Sequence, residues 1–172
     1  MRRTKIISKI LFYISRALAL GYLLMIIYAV ICLLTGWNVR PTAGRAAFVD
    51  ILFPFTSSPF LIIDTAPTYI IFSFLLPLVL YSLFFWLASE VFKVFHQPRL
   101  FSSQNVIHLR RFYIFNVFIP GAAALLSRPF TEIGKDVWLL VIVHFFLGIF
   151  IYFLAAIFTQ GLQLQKEQDL FI

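Results

Sequence analysis

The chain has 172 residues, 62% of them hydrophobic and only 12% charged, with a mean hydropathy of +0.95. Soluble domains carry roughly 25% charged residues, so this composition excludes an ordinary soluble domain and reads as an integral membrane protein. The net charge of +7 would suit a nucleic-acid binder. However, the Lys and Arg residues sit in short loops beside apolar runs, where topology control accounts for them, and no direct nucleic-acid binding is expected.

The basic start Met1-Arg2-Arg3-Thr4-Lys5 leads into an uncharged run over 17–34. It imitates a signal peptide, but the run is too long for an h-region and lacks a small-x-small site at its end, so a retained helix over about 10–35 is expected. Ala29-Val30-Ile31 before Cys32 is a poor lipoprotein box, and one cysteine cannot form an internal disulfide. An outer loop over 36–67 follows. Its Pro41, Pro54, Pro59 and Pro67 rule out a long helix. Its apolar runs over 48–53 and 60–63 are too short to span and too apolar to be freely solvated. They are predicted to lie as interfacial segments on the outer face of the bundle, with a ligand lid as the other reading.

The next uncharged run, 69–88, predicts a helix over 68–95. Pro98 ends regular structure, and Ser102 or Ser103 can cap a helix over 104–127. In that helix Pro120-Gly121 predicts a kink, because Pro120 cannot donate to the Asn116 carbonyl. The last run, 137–158, predicts a helix over 137–164. The four apolar runs reach about 27, 30, 22 and 33 Å, against a hydrocarbon core of about 30 Å. The third suffices if Arg110 and Arg111 snorkel. With both termini inside, ten of the fourteen Lys and Arg residues are cytoplasmic, while Arg40, Arg45, Arg128 and Lys135 lie outside. The expected fold is all-α: a single-domain integral membrane four-helix bundle over 1–172, with both termini cytoplasmic.

Small and polar residues mark helix faces. Ala17 and Gly21 share a face of the first helix, Ser73, Pro77 and Tyr81 of the second, and His144, Gly148, Ala155 and Thr159 of the fourth. These stripes are expected to face one another. His144 is the only ionisable group deep within a span, which makes it either a functional residue or a structural one bonded to Asn116, Ser73 or Tyr81. Glu90 near the inner end of the second helix pairs either with Lys93 one turn on or with Arg16 of the first helix. No spacing of ligands suggests a metal or cofactor, and enzyme signatures are absent. A small transporter or channel subunit working through His144 and Asn116 stays open as an alternative. Four short helices would serve it better as a homo-oligomer.

The inner face carries the most patterned polar sequence. Arg110 and Arg111 stand near the membrane surface. After the fourth helix Gly161 loosens the chain and Glu167, Gln168 and Asp169 follow. A clasp between Arg110/Arg111 and Glu167/Asp169 is expected, helped by Leu162, Leu164, Leu170 and Ile172, since an exposed ion pair contributes only about 0–1 kcal/mol. A solvated tail, with the arginines on lipid phosphates, is the other reading.

Two motifs stand here: Phe101-Ser102-x-x-Asn105-Val106-x-x-Leu109-Arg110-Arg111 and Phe158-x-x-Gly161-x-x-Leu164-x-x-Glu167-Gln168-Asp169-Leu170-x-Ile172. In order, spacing and position they resemble the signatures of a bacterial membrane-protein family, domain of unknown function 2975. The family's usual glycine before the first motif is replaced here by His96-Gln97-Pro98. The resemblance implies four membrane helices, no assigned activity and, as a partner besides the lipid bilayer, a small cytoplasmic helix-turn-helix transcription regulator. Asn105, Arg110, Arg111, Glu167, Gln168 and Asp169 are then the candidate docking residues.

Overall fold

The structure is a computed structural model that describes the backbone of residues 2–169 and the side chains of residues 3–168. It is 72% helical, with four long apolar helices and a small sheet. Helix α1 runs Arg2–Thr35, α2 Leu76–Val94, α3 Ser103–Ser127 and α4 Lys135–Asp169; a π-helical turn, Tyr69–Leu75, leads into α2. All four helical segments are long and apolar enough to cross a membrane, as in a multi-pass membrane protein. They alternate in direction, so both ends of the described chain lie at one end of the molecule. Ser8 near the start of α1 bonds the Phe92 carbonyl near the end of α2, and Phe101 before α3 meets Gly161 late in α4.

The outer loop departs from the expected interfacial segments. Strands β1 (Val39–Pro41), β2 (Phe48–Leu52) and β3 (Pro59–Asp64) form an antiparallel sheet in that order, so the fold is not purely α-helical. The reason is local. Backbone groups beside apolar side chains need partners, and in an extended strand successive side chains point to opposite faces, which puts Val49 and Ile51 on one side of β2 and Asp50 on the other. Ile51 and Ile63 are fully buried with Ala29 and Cys32 of α1, while Asp50 on the opposite face holds Arg40 Nε at 3.3 Å and Thr42 Oγ1 at 2.6 Å. Gly36, with φ +70°, turns the chain out of α1 and donates its N–H to the Cys32 carbonyl at 2.9 Å.

Helix α1 packs along α2, α2 against α3, and α3 along α4. The α1–α2 contact is not made by the expected small pair. Ala17 and Gly21 are exposed, and nothing lies within 4 Å of a Cβ built on Gly21. The buried stripe is instead Ser8, Ser15 and Ala19, with Ser82 Oγ donating to the Ala19 carbonyl at 3.0 Å. On α4 the expected face forms against α3 at His144, Gly148 and Ala155, while Thr159 is exposed and its hydroxyl donates to the Ala155 carbonyl of its own helix at 2.8 Å. A Cβ on Gly148 would come within 2.5 Å of Val117 Cγ2 and 3.0 Å of the Val117 nitrogen, so only glycine allows this approach.

The main core lies in the half of the bundle nearer the chain ends, where Ala88, Val91 and Val94 meet Leu109, Phe112, Ile151, Ala155 and Phe158. Toward the sheet the helices part. Helix α3 is helical on both sides of Pro120-Gly121, with the Pro120 donor missing from its ladder. The wider π turn comes just before Pro77: Leu76 donates to the Ile71 carbonyl five residues back, which fits a segment about to lose a donor at proline.

Candidate functional site

The two motif segments converge at the terminal end, but through apolar and backbone contacts. Ser102 caps α3 by accepting the Asn105 N–H at 3.2 Å. Asn105 is fully buried, and its Nδ2 donates to the carbonyls of Arg99 (3.1 Å) and Leu100 (2.9 Å). That single side chain ties the α2–α3 loop to the first turn of α3. The loop then lays Phe101 on α4. A Cβ on Gly161 would fall 2.6 Å from Phe101 Cε1, and the Phe101 and Phe158 rings meet edge to face at 5.3 Å. Gly161 therefore stands inside a continuous helix and serves as a seat for an aromatic ring, where the sequence had led us to expect a loosened chain. Asn105, being buried, acts on this loop and offers no atom to a partner.

Arg110 and Arg111, about two turns into α3, and Glu167 and Gln168, nearly two turns beyond Gly161 on α4, are exposed. Among the described residues no ion pair joins Arg110 or Arg111 to Glu167. The side chain of Asp169, and Leu170 and Ile172, lie outside the described residues.

Glu90 is a hub. One carboxylate oxygen accepts from Arg16 Nη2 at 3.1 Å, and the other lies 3.6 Å from Lys93 Nζ and 3.8 Å from His108 Nδ1. The two sequence alternatives for Glu90 coexist, and the carboxylate bridges three helices. The Arg16 guanidinium also lies 3.5 Å from the centre of the Trp86 ring, a cation–π contact that strengthens when water is excluded. His108 was not singled out in the sequence. Its signal was the stripe Asn105, Leu109, Phe112, Phe115 and Asn116, the buried face beside which it falls.

Inside the bundle His144 Nδ1 lies 2.7 Å from Asn116 Oδ1, and Asn116 Nδ2 donates to the Phe112 carbonyl at 2.8 Å. The second bond fixes the amide, so Oδ1 can only accept. His144 therefore carries a proton on Nδ1 and donates it to Asn116. The Phe84 ring stands edge-on to the imidazole at 5.0 Å. Above this pair, where α2, α3 and α4 part, is a partly open cavity of about 380 Å³. Ser73, Pro77 and Tyr81, the stripe expected to face inward, line it together with His144. Ser73 Oγ and Thr131 Oγ1 are bonded at 2.9 Å, and Phe72 stacks on Phe130 at 4.4 Å, which holds the α3–α4 connection over the cavity. Among the described residues no cluster of His, Cys, Asp and Glu could hold a metal ion.

No family model, curated protein or solved structure matches the chain.

Proposed function

We propose that this protein is a non-enzymatic bacterial inner-membrane protein with cytoplasmic termini, a member of the family its two motifs resemble. It acts as the membrane partner of a cytoplasmic helix-turn-helix regulator. The observation that supports this reading is the joint at the terminal end. The two motif segments meet through Phe101 and Gly161, and Asn105 fixes the loop that carries Phe101. The joint is preformed, and exposed charges flank it along the two antiparallel helices: Arg110 and Arg111 about two turns into α3, and Glu167 nearly two turns beyond Gly161 on α4. Preorganisation of this kind lowers the entropic cost of docking, and exposed charge supports fast, selective encounter.

The test is affinity capture of the tagged protein from gently solubilised native membranes, beside an R110E/R111E variant. A DNA-binding protein captured by the parent and lost from the variant supports the reading. Recovery of only further copies of the chain, unaffected by the variant, refutes it.

A small transporter or channel subunit is the second reading, favoured by the His144–Asn116 bond at the floor of the cavity. It stands behind the first because the packed core around Leu109 and Phe112 lies between that floor and the terminal end.

A further inference from the structure

The cavity near the sheet has a chemical asymmetry. Its walls are apolar, built from Phe72, Leu76, Leu80, Ala124 and Val141, and at about 30 Å³ per water-sized group its 380 Å³ holds roughly a dozen methylene-sized units. At Thr131, Glu132 and Ile133 it adjoins a second, open depression of about 800 Å³. That depression carries one cation, Arg128, and one anion, Glu132, beside Trp138. Tryptophan is the side chain most at home at the headgroup level of a bilayer. An apolar slot thus opens onto a rim with both charges, in a protein whose helices are long and apolar enough to cross a membrane.

We infer that this pair of recesses is a phospholipid-binding site selective for a phosphoethanolamine headgroup. One acyl chain fills the slot between α2, α3 and α4. The phosphate lies on Arg128, whose guanidinium matches phosphate geometry, and the ammonium donates to Glu132. A primary ammonium has three N–H donors, whereas the quaternary ammonium of choline has none, so the Glu132 carboxylate discriminates between the two. The Ser73–Thr131 bond and the Phe72–Phe130 stack hold chain slot and headgroup rim in one frame. This inference is independent of the docking face at the other end of the bundle.

The experiment uses the full chain in phosphatidylcholine vesicles doped with phosphatidylethanolamine bearing a diazirine at the end of one acyl chain. After photolysis the labelled peptides are mapped by mass spectrometry. Labelling is expected on the stretches containing Ser73–Tyr81 and Val141–His144, above that on the outward-facing Phe146 and Phe150. A123F, which fills the slot, removes it. R128Q weakens probe capture about tenfold, the loss of one charge-assisted contact, and E132Q abolishes the preference over the matching phosphatidylcholine probe. Arg128 and Glu132 are exposed, so these two variants leave the fold intact should A123F fail to fold. Equal labelling of cavity and outer surface, or labelling that ignores A123F in a folded variant, overturns the site. Equal capture of ethanolamine and choline probes by the parent overturns the headgroup assignment.

Discussion

Replacing Gly148 with alanine puts a methyl group where α3 and α4 touch. The new Cβ would sit 2.5 Å from Val117 Cγ2, 3.0 Å from the Val117 nitrogen and 3.2 Å from the Tyr113 carbonyl oxygen. The first clash cannot be relieved cheaply, because a β-branched side chain in a helix has one strongly preferred rotamer. The other two involve backbone, so the helices must move apart. Overpacking of this kind costs about 1–3 kcal/mol. Alanine recovers about 0.5–1 kcal/mol through its lower backbone entropy in a helix. The net effect is a destabilisation of about 1–2 kcal/mol. Gly21→Ala is the matched control, since nothing lies within 4 Å of its Cβ; only the helix-propensity gain remains, and it is neutral to slightly stabilising. Unfolding of both variants in mixed micelles, followed by circular dichroism across a denaturing-detergent titration, measures the difference. Equal midpoints for the two variants would refute the close approach of α3 and α4 at Gly148.

Three further outcomes follow from the same geometry. Asn105→Leu leaves the Arg99 and Leu100 carbonyls without their donor, at about 0.5–1.5 kcal/mol for each bond lost, since these residues are exposed and water can replace the amide; limited proteolysis should cut the 95–102 loop faster, and unchanged cleavage counts against the tie. Glu90→Gln leaves Arg16, Lys93 and His108 without their shared anion and destabilises by about 1–3 kcal/mol, below the roughly 3–5 kcal/mol of a fully buried pair because all the groups retain some exposure. An Arg16→Met background should blunt that loss, and additive effects would contradict the bridge. A double-mutant cycle on Asn116→Leu and His144→Phe should give a coupling of about 0.6 kcal/mol, the average for interhelical hydrogen bonds in a membrane protein, and at most about 1.7 kcal/mol, and zero coupling means the bond is not formed.

The long apolar helices were legible because each apolar run is itself the signal, and a bilayer leaves few other ways to satisfy its backbone. Of the stripe His144, Gly148, Ala155 and Thr159, the first three were readable because small residues at helical spacing allow close packing, whereas the exposed Thr159 satisfies its hydroxyl on its own helix. The same rule failed for Ala17 and Gly21, since small residues also occur on a lipid-facing surface, and a spacing alone does not say which face has a neighbour. The sheet was missed because Pro41, Pro54 and Pro59 argued only against helix, and the run around Asp50, apolar on both sides of a single carboxylate, carries no polar–apolar alternation. At the terminal end the sequence located the two segments but not the contact between them. Charge drew attention to Arg110 and Glu167, whereas the joint is a phenylalanine on a glycine, which no charge pattern announces. The cavity needed three helices and a loop brought together, and Glu132 and Arg128 gain meaning only beside it.

The central claim is that the face carrying Arg110, Arg111 and Glu167 is a cytoplasmic docking surface, and its side of the membrane tests it most directly. In a Cys32→Ala background, Glu167→Cys and Ala43→Cys each place one thiol at opposite ends of the bundle. Cells are treated with a membrane-impermeant maleimide, intact or after lysis. The account predicts that Ala43→Cys labels in intact cells and Glu167→Cys labels only after lysis. Labelling of Glu167→Cys in intact cells would put that face outside and contradict the account.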